Sequence, residues 1–222
     1  MKQYFTSESV TEGHPDKLCD LISDSILDEC LKQDKESRVA VETFAAGNTI
    51  TIAGQITSVA ELNVEKLVRK VIKEIGYDNE KLDMDYRNCK IDVNITKQSP
   101  DIAMGVDTGG AGDQGIMFGY ASNETENYMP FAIDTAHKLA KRLAEVRKEK
   151  IIPYLRPDGK VQVTVEYDDD KPKRIETILI STQHKPEVAI ETLRKDIKQK
   201  VINKVIPSGM MDKNTKIYIN PT

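Results

Sequence analysis

The order helix, hairpin, helix, strand can be read twice along these 222 residues. In the first half Pro15 suits an opening helical position, and Leu18, Cys19, Ile22, Ile26 and Cys30 then recur at helical spacing while Asp20, Asp24 and Asp28 line another face. Arg38 to Ala45 and Thr49 to Thr57 read as strands joined around Gly47-Asn48, because Thr49, Ile50, Thr51 and Ile52 alternate with the period of two of a half-buried strand. Asn63 can cap a second helix with the stripe Val64, Leu67, Val68, Val71, Ile72 and Ile75, which Gly76 can end. Cys89, Ile91, Val93 and Ile95 then alternate as a strand.

In the second half Pro130 opens a helix through Ile133, Ala136, Ala140, Leu143 and Ala144. Val161, Val163 and Val165 alternate in a strand that turns at Asp168-Asp169-Asp170 into Arg174 to Ile180. Val188, Leu193, Ile197, Val201 and Val205 mark another helix, stopped near Pro207, and Lys216 to Ile219 form a last strand. Apolar stripes and alternating strands in each half bury one another most simply as an α+β fold, two similar helix-hairpin-helix-strand units with helices on one face of a small, mostly antiparallel sheet. The expected boundaries are 13–100 and 124–222, the second unit joined by an N-terminal strand 1–12. A glycine-rich loop and a connecting strand, Ile116 to Tyr120, fill 101–123.

Composition narrows the function classes. With 39% hydrophobic and 31% charged residues the chain can bury a real core. A net charge of -4 and the lack of any Lys/Arg run interleaved with aromatics speak against nucleic-acid binding. Three cysteines, Cys19, Cys30 and Cys89, have neither the number nor the spacing of a disulfide framework or zinc motif, so a reducing, cytoplasmic location is expected. No membrane contact is expected, since no apolar stretch reaches spanning length and the N-terminus has no apolar signal core.

Two short motifs carry chemistry. Gly13-His14-Pro15-Asp16-Lys17 places an imidazole, a carboxylate and an amine at a helix start, groups suited to holding a metal-bound polyphosphate. Gly105, Gly109, Gly110, Gly112, Gly115 and Gly119 gather half of the twelve glycines in one stretch, which can fold closely over a ligand. Each residue also has an ordinary role. His14 can be a loop residue, Asp16 a first-turn acid favoured by the helix dipole, and Pro157-Asp158-Gly159-Lys160 a hairpin entry. His137 among Lys138, Lys141 and Arg142 reads as a partly solvated helix position, and His184 as a strand end.

Five strings in order change that balance: Phe5 to Val10, Glu12 to Lys17, Lys97 to Asp101, Gly110 to Gly115 followed by Met117 to Tyr120, and Ser181 to His184. Together they resemble the methionine adenosyltransferase, or S-adenosylmethionine synthetase, family. The resemblance implies three similar α+β domains about a pseudo-threefold axis, of which the two units would be two. It implies ATP and L-methionine as substrates, magnesium and potassium as cofactors, and a homodimer or larger homo-oligomer. In the implied reaction methionine sulfur attacks the ribose 5′ carbon of ATP, and the released tripolyphosphate is hydrolysed to pyrophosphate and phosphate. A neutral sulfur needs no general base, so the demand falls on stabilising the leaving group. By resemblance His14 and Lys160 hold the departing phosphates, Asp16 binds magnesium and Glu42 potassium. Gln98 and Asp101 fall at the start of a gating loop, Asp113 in a loop reaching the substrate pocket, and Asp158 with Lys160 in an ATP-contacting turn.

The sequence departs from the family pattern in three ways. About a third of the family's length, including basic and metal-binding residues, has no counterpart after Thr222. Gln55 stands where the family has a Glu facing the methionine ammonium, and Val106 to Gly110 make a shorter gating loop. The readings therefore stay open between a fragment, a split enzyme completed by a separate chain, a non-catalytic subunit pairing with a full-length one, and a metal-dependent tripolyphosphatase.

Overall fold

The computed structural model describes residues 1–79, 82, 84–97 and 115–221. Two compact units divide the chain: a continuous unit, Pro15–Gly119, and a split unit made of Met1–His14 with Tyr120–Thr222.

In the continuous unit, α1 (Pro15–Gln33) buries Leu18, Ile22, Ile26 and Cys30, one residue per turn, so a single stripe faces inward. Strands β2 (Arg38–Ala46) and β3 (Thr49–Thr57) pair antiparallel across Gly47, whose φ of 55° suits a glycine turn. Asn63 caps α2 (Val64–Ile75) by accepting from the Lys66 N–H at 2.9 Å, and Gly76 ends it at a left-handed φ of 109°. The crossover through α2 delivers β4 (Lys90–Thr96) parallel to β3, giving the sheet order β2-β3-β4. Ile50 and Ile52 meet Val68, Ile72 and Leu18 in the core. Beside it, Arg87 clamps the buried Asp85 carboxylate with its Nε and terminal nitrogen at 2.9 and 2.6 Å, which holds Asp85 below the usual carboxylate range.

In the split unit, α3 (Phe131–Lys148) lies over a sheet ordered β1-β5-β6-β7, from Lys2–Val10, Leu155–Asp168, Lys171–His184 and Lys216–Ile219. The β5–β6 hairpin closes through Asp169 and Asp170 with φ of 48° and 58°, the left-handed pair that matches strand twist and that Asp tolerates. Val161, Val163, Val165, Ile175, Ile178 and Ile180 present the sheet's buried face to Leu139 and Leu143 of α3. Helix α4 (Ile190–Ile197) continues through a π-helical turn, Lys198–Ile202, and a last helical turn, Asn203–Val205, before β7 returns parallel to β6.

Four sequence expectations are corrected. The sheet of the continuous unit has one antiparallel and one parallel pair, because β4 returns over a helical crossover rather than a hairpin, whereas the split unit's sheet, with two antiparallel pairs and one parallel, is mostly antiparallel as expected. Ile116 to Tyr120 is not a strand: it finds no ladder partner among the described residues, and Ile116, Met117, Phe118 and Tyr120 are 77–90% exposed. Val188 precedes α4, in a turn closed by its N–H to the Lys185 carbonyl at 3.2 Å. Pro157 to Lys160 is part of β5, where a bulge between Leu155 and Gly159 takes the intervening residues out of register with β6.

Candidate functional site

The split unit builds a groove from residues far apart in sequence. Thr11, just past β1, fastens the chain to β5 three times: its N–H donates to the Gly159 carbonyl at 2.9 Å, and its hydroxyl lies 2.8 Å from the Pro157 carbonyl and 3.2 Å from that of Gly159. The His14 N–H returns to the Thr11 carbonyl at 3.1 Å and closes a turn over residues 11–14. Inside it Gly13 sits so tightly on Pro157 that a Cβ there would lie 2.4 Å from Pro157 Cβ. The turn therefore carries His14 to the bulged start of β5.

The result is an open groove of about 480 Å³ lined by His14, Asp158, Gly159 and Lys160 on one side and Ser181, Thr182, Gln183 and Asn220 on the other. Lys160 Nζ pairs with Glu8 Oε2 of β1 at 2.6 Å, both side chains about half exposed. The far wall is held by Asn220, whose amide exchanges hydrogen bonds with the Thr182 N–H at 2.8 Å and carbonyl at 2.9 Å, extending the β6–β7 ladder by one residue. An imidazole, an amine, hydroxyls and backbone at a strand bulge make a surface able to hold an anion with several oxygens, while Asp158 and Glu8 set the limit of its positive character. A larger groove of about 590 Å³, lined by Arg194, Lys195, Lys198 and Ile217 to Ile219, contains none of the candidate site residues.

The remaining sequence-predicted residues lie elsewhere. Asp16 is exposed in the first turn of α1, Glu42 is exposed on β2, and Gln55 is half-buried in β3 opposite Ala40, all in the continuous unit. Gln55 follows Gly54, whose φ of 148° and approach to the Ala40 carbonyl, 2.1 Å from a built Cβ, exclude any side chain there. Gln98, Asp101 and Asp113 fall outside the described residues. No cluster of three or more His, Cys, Asp or Glu able to hold a metal occurs among the described residues. A lone aspartate is nonetheless a usable magnesium donor, because that ion fills most of its shell from phosphate oxygens and water. Glu42 similarly offers one carboxylate.

His137 Nδ1 lies 2.8 Å from Ser9 Oγ, and His184 Nδ1 2.8 Å from the Lys185 carbonyl, so both rings have local structural partners outside the groove lining. Sequence reasoning missed Thr11 and Asn220 as builders of the groove. Asn220 had a readable signal, an Asn just past a strand, and it adopts a φ of 42°. Thr11 had none, because its partners lie 146 and 148 residues away.

Comparison with known proteins finds two domain matches. Residues 2–100 match the family model described as S-adenosylmethionine synthetase, N-terminal domain, and residues 108–222 that described as S-adenosylmethionine synthetase, central domain. The chain is 55% identical over 232 residues to the S-adenosylmethionine synthase of Brachyspira hyodysenteriae, covering 99% of this chain and 59% of that protein. It is 53% identical over 237 residues to that of Finegoldia magna and 52% identical over 236 to that of Clostridium botulinum, covering all of this chain and 60% of each. The chain thus spans about three-fifths of the length of the curated relatives it matches. Two domain matches that leave almost no residue uncovered, in the family's order, identify this chain as a member of the S-adenosylmethionine synthetase family.

Proposed function

We propose that this chain forms the N-terminal and central portion of a methionine adenosyltransferase, two of three similar domains, and contributes the phosphate end of its active site. The observation that carries this reading is the shared groove of His14, Asp158 and Lys160, built by the turn that Thr11 and Gly13 fasten to β5. In the proposed reaction methionine sulfur displaces tripolyphosphate from the ribose 5′ carbon of ATP, and hydrolysis of tripolyphosphate follows. Charge on the leaving phosphates is then the chief quantity to stabilise. Lys160 exchanges its Glu8 partner for phosphate oxygens, and His14 donates from the 11–14 turn; Asp158 accepts from the nucleoside. Asp16 would hold magnesium, which supplies electrostatic neutralisation of the phosphates when bound, and Glu42 would supply one potassium ligand. Gln55, Gln98, Asp101 and Asp113 belong to the methionine side and its gating loop in this reading. Full turnover then draws on the part of the family that this chain does not span, supplied by the rest of a longer chain or by a partner, with assembly as a homo-oligomer.

Calorimetric titration of the chain with inorganic tripolyphosphate in magnesium buffer tests the phosphate end. His14→Ala and Lys160→Ala should each weaken binding by about tenfold or more, as loss of a hydrogen bond to a charged group does, whereas His184→Ala should leave it unchanged. Equal effects from all three variants would refute the assignment.

A further inference from the structure

Among the contacts that hold the turn carrying His14, one uses residues outside the groove. Thr11 is bonded to β5 and Gly13 is packed on Pro157, while Glu12 between them turns its carboxylate to the last turn of α3. There the Arg147 guanidinium donates to Oε1 at 2.5 Å and the Lys148 amine to Oε2 at 2.6 Å, so both carboxylate oxygens are engaged. Arg147 is 12% and Glu12 21% exposed, which shields the pair from the screening that weakens surface ion pairs.

We propose that Arg147, assisted by Lys148, is a positioning residue for His14: through Glu12 it fixes the 11–14 turn so that the imidazole lines the groove before any ligand arrives. The proposal rests on the reading of His14 as a phosphate-holding residue. Its physical basis is preorganisation. With Glu12 released, the turn loses the tie that joins it to α3, and more of the ordering of His14 falls at the moment of binding. The simpler alternative, that Arg147 merely staples β1 to the helix, is weakened by a second tie. Ser9 Oγ and His137 Nδ1, 2.8 Å apart, join the same strand to the same helix upstream of the turn. Attachment of β1 thus has its own anchor, and the Glu12 clamp acts beyond it.

Amide hydrogen exchange and tripolyphosphate titration, on the wild-type chain and on Arg147→Ala, Arg147→Lys, Glu12→Gln and Ser9→Ala, separate the two roles. Exchange at His14 should accelerate by about tenfold or more in Arg147→Ala, with β5 and β6 unchanged, while Arg147→Lys restores part of the protection. Ser9→Ala should leave His14 exchange at the wild-type rate. Glu12→Gln gives the same local acceleration if Arg147→Ala proves unstable. Tripolyphosphate affinity should fall by about tenfold in Arg147→Ala, yet not fall further when Arg147→Ala is added to His14→Ala, because the two act as one unit. Unchanged exchange at His14, or an equal loss of affinity in the His14→Ala background, would overturn the proposal. Absence of tripolyphosphate binding by the wild-type chain would instead count against the phosphate reading, leaving the exchange comparison to decide whether Arg147 positions His14.

Discussion

Replacing Gly13 by alanine tests the packing on which the groove depends. The added Cβ would stand 2.4 Å from Pro157 Cβ and 2.5 Å from the Pro157 carbonyl carbon and oxygen. Non-bonded carbons settle about 3.5–4.0 Å apart, so one partner must retreat by roughly 1 Å. Pro157 is buried strand backbone whose carbonyl already receives the Thr11 hydroxyl, so the 11–14 turn is the part that moves. Overpacking of this kind costs about 1–3 kcal/mol, and stretching the Thr11 hydrogen bonds adds about 1 kcal/mol. At a few degrees per kcal/mol the transition of the split unit should fall by roughly 5–15 °C. The same 1 Å retreat carries His14 with it, and a misplacement of that size can cost about a hundredfold in a site that depends on geometry. Scanning calorimetry of Gly13→Ala beside Gly119→Ala, whose Cβ would meet nothing within 4 Å, separates a steric effect from a general one. A Gly13→Ala protein that melts with wild type and binds tripolyphosphate as tightly would refute the packing argument.

Two other outcomes follow from the continuous unit. Asp85 is held below its ordinary range chiefly by the Arg87 side chain, against the opposing effect of burial. A depressed carboxylate contributes stability that is complete above its unfolded value of about 4 and is lost as pH falls through the lower folded value; urea midpoints for Asp85→Asn should therefore lie below wild type at pH 7 and converge with it under pH 4, and a gap independent of pH would contradict the assignment. If Gln55 lines a methionine pocket, Gln55→Glu should tighten methionine binding by about tenfold in the presence of an ATP analogue, since a carboxylate gains a charge-assisted bond to the ammonium that an amide lacks; unchanged calorimetric affinity would remove Gln55 from that pocket.

Much of the secondary structure was legible because its signals are local. Asn63 and Gly76 mark the ends of α2 through bonds made within one helical turn. Ile50 and Ile52 fall on the buried face of β3 because their spacing allows nothing else once Thr49 and Thr51 face away. The π-helical turn at Lys198–Ile202 had no such signal, since one extra residue in a helical turn leaves the apolar stripe of Val201 and Ile202 usable. At the groove, His14 and Lys160 could be named from motif resemblance, but their common location depends on Thr11 meeting carbonyls at the bulge of β5. Pairing across about 150 residues is a tertiary fact that spacing cannot express. Ile116 to Tyr120 failed as a strand for the converse reason, since composition supplied the propensity and no neighbour among the described residues supplied the ladder.

That same stretch carries a hazard for concentrated solution. Gly115 to Ser122 contains no ionisable acid or base apart from the phenol of Tyr120, and its isoleucine, methionine, phenylalanine and tyrosine side chains stand in water. Short charge-free segments rich in such residues nucleate intermolecular β stacking when their backbone is unpaired. Neither acidification nor mild alkali alters the segment's own charge, so buffer pH acts on this hazard only through the net charge of the rest of the chain, which falls toward zero near pH 5.5. A single gatekeeper charge within the stretch, such as Met117→Lys, acts on the hazard directly.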